Sequence, residues 1–252
     1  MVSDHSIEPQ LIEQSFSEWQ RFFASEEKQL YRFDPVKQSG YFPFRTENAK
    51  DYSKKDLKEF YHHYPWDRFP ERVSVYTPQL YSALLEMSRV LLGWVEQCTP
   101  LEVRRGFSVP LSQMIDGSQE ILLRAIHYPP LTGSEEVGAV RAAAHEDINL
   151  ITLLPAATAP GLQVRDLKGV WHEVPCDPGT VVVNSGDMLK AASRDYYPST
   201  THRVMNPVGE ASRLPRYSMP LFLHPRHDVV LSPGLTAGEY LHQRLREIGL
   251  KS

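Results

Sequence analysis

The sequence predicts a mainly β protein with flanking helices, in which a helical N-terminal layer packs on an antiparallel double sheet. Three observations predict it. Apolar stripes at helical spacing fill the front half. Short apolar runs separated by Gly and Pro turns begin at about Ile121. Helices and strands do not alternate, which argues against a doubly wound parallel sheet.

Pro9–Ala24 carries Leu11, Ile12, Phe16, Trp19, Phe22 and Phe23 along one helical side. Pro35–Asp51 has no steady period and reads as loop. Ser53–His63 reads as a charged helix with Ser53 at its N-cap, which would leave His62 and His63 in solvent. Pro78–Gln97 is the strongest helix, with proline near its start and Leu80, Leu84, Leu91 and Leu92 on its apolar side. Leu101–Ile115 is helical but interrupted by Pro110. Strand candidates then follow: Ile121–Tyr128, Ile148–Leu154, Gly161–Asp166, Trp171–Val174, Thr180–Asn184, His202–Met205 and Tyr217–Leu223. Many short strands of this kind build a sandwich, jelly roll or barrel. A last helix covers Thr236–Ile248. The expected organisation is one domain over residues 1–252, with a helical region 1–119, a jelly-roll core 120–225 and a C-terminal helix in 226–252.

At 252 residues the chain buries enough apolar surface to fold without disulfides or metals. Twenty-seven basic residues against 31 acidic leave a net charge of −4, which speaks against nucleic acid as partner. The longest nearly uncharged apolar stretch, Ile148–Gly161, is too short to span a bilayer and contains Pro155 and Pro160. Met1–Pro9 has neither a basic start nor an apolar run, so no secretory signal is expected. Cys98 and Cys176 form no metal or redox spacing, in keeping with a reducing cytoplasm.

Two clusters carry chemistry. On a strand, His145 and Asp147 share a face while Glu146 points the other way. His202 opens a later strand candidate. Two histidines and a carboxylate are the donor set of non-haem Fe(II) sites, although His-x-Asp by itself also describes two polar residues at a strand edge. Arg216 and Ser218 share a face as well, and a guanidinium with a neighbouring hydroxyl suits a carboxylate. Alone, the pair also reads as a surface arginine beside a serine. Tyr128, before Pro129-Pro130, could add a hydroxyl or simply pack a strand end.

In chain order the sequence shows His145-x-Asp147, Asn184-Ser-Gly-Asp187, Ser199-Thr-Thr-His202-Arg203-Val204 and Arg216-x-Ser218. It adds Leu123-Arg124 with Tyr128-Pro-Pro, Gly161-Leu-Gln-Val164 and Pro178-Gly-Thr180. Together these resemble the 2-oxoglutarate and Fe(II)-dependent oxygenases of the isopenicillin N synthase-like group, closely from Leu122 to Leu223 and more loosely before it. The resemblance implies a double-stranded β-helix, or jelly roll, with Fe(II) in its mouth. It implies His145, Asp147 and His202 as iron ligands and catalytic centre, and Arg216, Ser218 and Tyr128 as 2-oxoglutarate contacts. It implies O2 as the oxidant, with succinate and CO2 as co-products of a hydroxylation, desaturation or ring closure on a small molecule.

The chain departs from that family at Ile126, where an Asn is frequent, and at Glu146, where Thr or Ser is frequent. Met1–Ile7 resembles the end of an early family strand, and the strand and helix that precede it there have no counterpart. Substrate contacts are expected from Tyr41, Arg45 and Tyr64 in the irregular segment and from Phe222 of the core. Neither an Fe(II) oxidase of the same fold that does without 2-oxoglutarate nor a non-catalytic jelly-roll binding protein is excluded by the sequence. A zinc hydrolase would leave Arg216-x-Ser218 without a role. The oligomeric state is not legible in the sequence.

Overall fold

The computed structural model describes residues 1–49 and 52–247. Helix α1 (Pro9–Phe23) starts with proline, whose missing N–H is not needed in a first turn, and buries Phe16, Trp19, Phe22 and Phe23. Strands β1 (Gly40–Phe42) and β2 (Glu59–His63) follow, then helix α2 (Tyr76–Cys98). The expected helix at 101–115 is split by Pro110 into single turns, α3 (Leu101–Arg104) and α4 (Leu111–Met114).

The remaining strands are β3 (Leu122–Tyr128), β4 (Ala142–His145), β5 (Ile151–Pro155), β6 (Leu162–Arg165), β7 (Trp171–Glu173) and β8 (Val181–Ser185). After helix α5 (Asp187–Ala192) come β9 (His202–Val204), β10 (Arg216–Ser218) and β11 (Leu221–Leu223). A hairpin, β12 (Val230–Ser232) with β13 (Leu235–Thr236), leads into helix α6 (Ala237–Glu247). Ile248, the last residue of the expected final helix, lies outside the described residues.

Two antiparallel sheets face each other. The larger runs β1-β2-β3-β11-β5-β8, with β10 also on β3; the smaller runs β4-β9-β6-β7. This is the double-stranded β-helix that the sequence implies, with α1 and α2 against the outer face of the larger sheet. The expected single run Tyr217–Leu223 holds one register against β3, from Arg216 opposite Tyr128 to Phe222 opposite Leu122. It is interrupted at Met219-Pro220, where the proline lacks an N–H but its carbonyl accepts the Arg124 N–H at 3.0 Å.

Along each strand of the larger sheet, residues alternate between the helices and the interior. Leu123, Ala125, Ile151, Leu153, Leu221 and Leu223 pack with the helices in the main core. Their alternates Ile126, Tyr128, Thr152, Leu154 and Phe222 line the interior.

The charged helix expected over Ser53–His63 is not formed. Its second half is β2, whose five residues are all buried. Phe60 and Tyr61 suit a strand with both faces covered, and the charges of this segment find partners instead of solvent. Glu59 accepts from Lys28 and from the His127 ring, and Lys58 pairs with Glu47 at 2.7 Å and Asp56 at 2.9 Å. His62 and His63 are therefore buried, each with 5% exposure, rather than solvent-facing. The segment expected as loop over 35–51 contains β1, paired with β2. Residues 1–119 thus contribute two strands to the main sheet besides the helices.

Glu18 ties the two long helices together. It is 2% exposed, and its carboxylate accepts the backbone N–H groups of Val75, Tyr76 and Thr77 at 3.2–3.3 Å. It therefore caps the start of α2 from the side of α1, where a helix favours negative charge. Glu18→Ala should cost about 1–3 kcal/mol, because three donors lose their acceptor. In a chain of this size that lowers the melting temperature by roughly 2–4 °C per kcal/mol, measurable by calorimetry.

Burial pulls the His63 imidazole from 6.5 down to about 4, with Asp67 opposing weakly. The folded chain thus refuses a proton that the unfolded chain accepts. Stability is full above the unfolded value and falls as the pH drops from 6.5 towards 4. At pH 5 this one group should withdraw about 2 kcal/mol. His63→Phe should flatten the acid limb of a melting-temperature profile between pH 7 and 5.

Candidate metal centre and its two cavities

His145 ends β4 and His202 begins β9, and the two are register partners across the smaller sheet. Their rings lie 4.3 Å apart, centroid to centroid. Each ring is oriented from behind. His145 Nδ1 lies 2.7 Å from the Ala143 carbonyl and His202 Nδ1 lies 3.0 Å from the Thr200 carbonyl. An Nδ1–H donated to a carbonyl leaves the Nε2 lone pair free to ligate.

Asp147 completes the group, but not through the strand alternation expected from sequence, since β4 stops at His145. It is fixed by its neighbours instead. Thr152 Oγ1 donates to Oδ2 at 2.6 Å and Asn184 Nδ2 donates to the same oxygen at 3.0 Å. Oδ1 is left facing His202 Nε2 at 3.7 Å. One donor atom from each of His145, Asp147 and His202 lies within 4.8 Å of the others. Burial, and then the charge that His202 would carry, pulls His145 down to about 4, so it stays neutral and able to ligate. Both histidines and nearby hydrogen-bond donors hold the Asp147 carboxyl below the usual carboxylate range, against its burial. Two oriented imidazoles with an ionised carboxylate fit a divalent cation that takes nitrogen and oxygen donors.

The motif Asn184-Ser-Gly-Asp187 is explained by close approach. A Cβ at Gly186 would meet the Asn149 carbonyl oxygen at 2.3 Å and that of Asp147 at 2.8 Å. The Asp187 N–H donates to the Asp147 carbonyl at 2.8 Å. Only glycine lets the β8 turn support the loop that carries Asp147.

The three residues open into a cavity of about 410 Å³ between the sheets. Arg216, Ser218 and Tyr128 all line it, as does Phe222. Arg216 is 2% exposed, beneath the Tyr128 ring at 5.1 Å. Its Nε donates to the Ala159 carbonyl at 2.9 Å, while its buried Nη1 has no hydrogen-bond partner among the described residues. Burial pulls this guanidinium below its usual value, with Tyr128 opposing. A buried cation with a free donor in a largely apolar part of the wall fits an anionic cosubstrate. Ile126 lines the same wall and offers no polar contact there.

Tyr41, Arg45 and Tyr64, expected as substrate contacts, line neither of the two cavities that border the triad. Strand alternation turns Tyr41 towards the helices, where its hydroxyl bonds Glu59 and its ring meets Phe22. Its neighbour Phe42 is the one that turns inward, stacked on Phe60 at 4.3 Å. Arg45 reaches outward to Glu136 at 3.9 Å. Tyr64 lies beyond the end of β2 and stacks on Trp66 at 5.0 Å. The residues that sequence reasoning passed over are Lys58 and Arg124, which line the cavity next to the triad. Arg124 could have been found, because it shares strand parity with Tyr128. Lys58, in a segment read as helix, carried no such signal.

The family model of the 2OG-Fe(II) oxygenase superfamily matches residues 119–225, and that of the "non-haem dioxygenase in morphine synthesis N-terminal" matches residues 1–83. A crystal structure from Shewanella oneidensis, described as a candidate oxygenase, is similar at 48% identity and TM-score 0.88, over 98% of this chain and 88% of that one. A full-length Neurospora crassa protein in complex with alpha-KG and thymine is similar at 25% identity and TM-score 0.76, over 97% of this chain and 85% of that one. The 2-oxoglutarate-Fe(II) type oxidoreductase hxnY of Emericella nidulans is 33% identical over 154 residues, 60% of this chain and 41% of that protein. A Caulobacter crescentus protein described as of the 2OG-Fe(II) oxygenase family is 32% identical at TM-score 0.79, over 98% of this chain and 88% of that one. With the triad in a jelly-roll mouth and the buried arginine behind it, this leads to one conclusion: the chain belongs to the 2OG-Fe(II) oxygenase superfamily, oxidoreductases that work with Fe(II), 2-oxoglutarate and O2.

Proposed function

We propose that this chain oxidises a small molecule at a C–H bond, with His145, Asp147 and His202 holding Fe(II) and with Arg216, Ser218 and Tyr128 holding 2-oxoglutarate. The observation that carries this reading is the unpaired Nη1 of Arg216, buried in the wall of the cavity onto which the triad opens. When bound, iron and 2-oxoglutarate supply the oxidising power, with release of succinate and CO2. The residues of the chain supply order. The Ala143 and Thr200 carbonyls and the Thr152 and Asn184 side chains aim three ligands at one point and leave the opposite side open. Arg216 and Ser218 seat the distal carboxylate of the cosubstrate. Leu154, Leu162, Val164, Val182 and Val204 keep the surrounding wall dry.

The direct test is succinate release from 2-oxoglutarate by the Fe(II)-loaded protein under air. No succinate, with O2 consumed only when an oxidisable small molecule is added, would favour an oxidase that takes its electrons from that substrate alone. Arg216→Lys should raise the apparent KM for 2-oxoglutarate by roughly 30-fold or more, equivalent to about 2 kcal/mol, because a point charge cannot replace a planar fork. An unchanged KM removes Arg216 from the cosubstrate site. Thr152→Val keeps the side-chain shape but withdraws a donor from Asp147. It should weaken Fe(II) or Co(II) binding by roughly 10–100-fold, read by metal titration of the folded protein.

A further inference from the structure

A second chamber of about 310 Å³ adjoins the first. Lys58, Arg124, His145, Asp147 and Phe222 line both, so these five side chains form the wall between them. Beyond the triad the second chamber carries four cations, Lys58, Arg124, Arg165 and Arg244, on a chain whose net charge is −4. Its other carboxylates are already engaged. Glu47 accepts from Lys58 at 2.7 Å and from Arg124 Nη1 at 3.3 Å, Asp56 accepts from Lys58, and Glu146 accepts from Thr201.

Arg124 is held in a fixed plane. Its guanidinium carbon lies 4.6 Å from the Phe60 ring and 5.4 Å from the Phe222 ring. Glu47 occupies Nη1, and the buried Nε has no hydrogen-bond partner among the described residues. Arg244, from α6, brings a second buried Nε without a partner among them to the same chamber. A buried donor left unmade costs about 1–3 kcal/mol, so such atoms call for an acceptor.

Arg124 is set apart from Arg216. Arg216 stands opposite Tyr128 on β3, and Arg124 is four residues away along that strand, roughly 13 Å from backbone to backbone. Arg124 lines the second chamber and Arg216 does not.

We infer that the second chamber takes the molecule to be oxidised and recognises it by a carboxylate seated on the free edge of Arg124, with Phe222 against its apolar part. This rests on the assignment of the first cavity to 2-oxoglutarate. A neutral or a cationic substrate would leave the Arg124 Nε unmade.

The test uses the full chain loaded anaerobically with Fe(II) and saturating 2-oxoglutarate, which keeps Arg216 occupied. The probes are phenylacetate and hexanoate against phenylacetamide and hexanamide, with binding read by titration calorimetry. The acids should bind at least tenfold more tightly than the amides. Arg124→Gln should abolish that preference, and Arg124→Lys should reduce acid binding by tenfold or more. If Arg124→Gln does not fold, the lysine variant and the acid-to-amide ratio of the unaltered chain decide. Amides binding as well as acids, no acid binding, acids binding only by displacing 2-oxoglutarate, or a preference that survives both substitutions would each overturn the inference. Failure of the unaltered chain to release succinate from 2-oxoglutarate would instead overturn the functional reading beneath it.

Discussion

An antiparallel strand turns every second side chain to the same side, and this period of two governs what can reach the interior of the jelly roll. On β3 it sends Leu123 and Ala125 to the helices and Arg124, Ile126 and Tyr128 to the cavity. On β10 and β11 it sends Arg216, Ser218 and Phe222 inward and Leu221 and Leu223 outward. Because β3 pairs with both at one unbroken register, the two inward arginines are held at a fixed spacing. A slip of one residue would exchange the core for the site.

Electrostatics divides the interior. Around Arg216 the wall is largely apolar, with Leu154, Leu162 and Val182 among its lining residues. In front, Lys58, Glu47, Asp56 and Arg124 form a buried network in which each member has an opposite charge as neighbour. Glu47 is held well below the usual carboxylate range by Arg124 and Lys58, against its burial, and Lys58 is held above the usual range by Glu47 and Asp56, against its own burial. Such a network favours one arrangement of the β2 approach over others, since breaking any pair strands a charge in the interior.

The sequence made the jelly roll legible because its strands are short, apolar and punctuated by Gly and Pro. The triad was legible as an ordered set, His145, Asp147 and His202, more than as a local pattern. What the sequence concealed has a common physical origin in long-range pairing. Lys58 and Glu59 look solvated until Glu47, Asp56, Lys28 and His127 are brought to them from elsewhere in the chain. The strand β2 was hidden under that charge, and with it the burial of His62 and His63. Aromatic residues near a site are likewise weak signals of contact. Tyr41 and Phe42 are adjacent, yet only Phe42 faces the interior, and no composition rule separates them without the register of β1 on β2.

That β1 and β2 belong to the main sheet has a consequence for how the chain can be divided. All five residues of β2 pair with β3, and α1 and α2 cover the outer face of the same sheet. A fragment cut just before Ile121 would keep every iron-ligand candidate and the Arg216 cradle. It would also bare one edge of β3, an open row of peptide groups ready to recruit another chain, together with the apolar side of Leu123, Ala125, Leu153 and Leu221. The stretch that carries the family's signature is therefore not the stretch that can stand alone. The N-terminal region serves as the sheet's selvage, the woven border that keeps the cloth from unravelling.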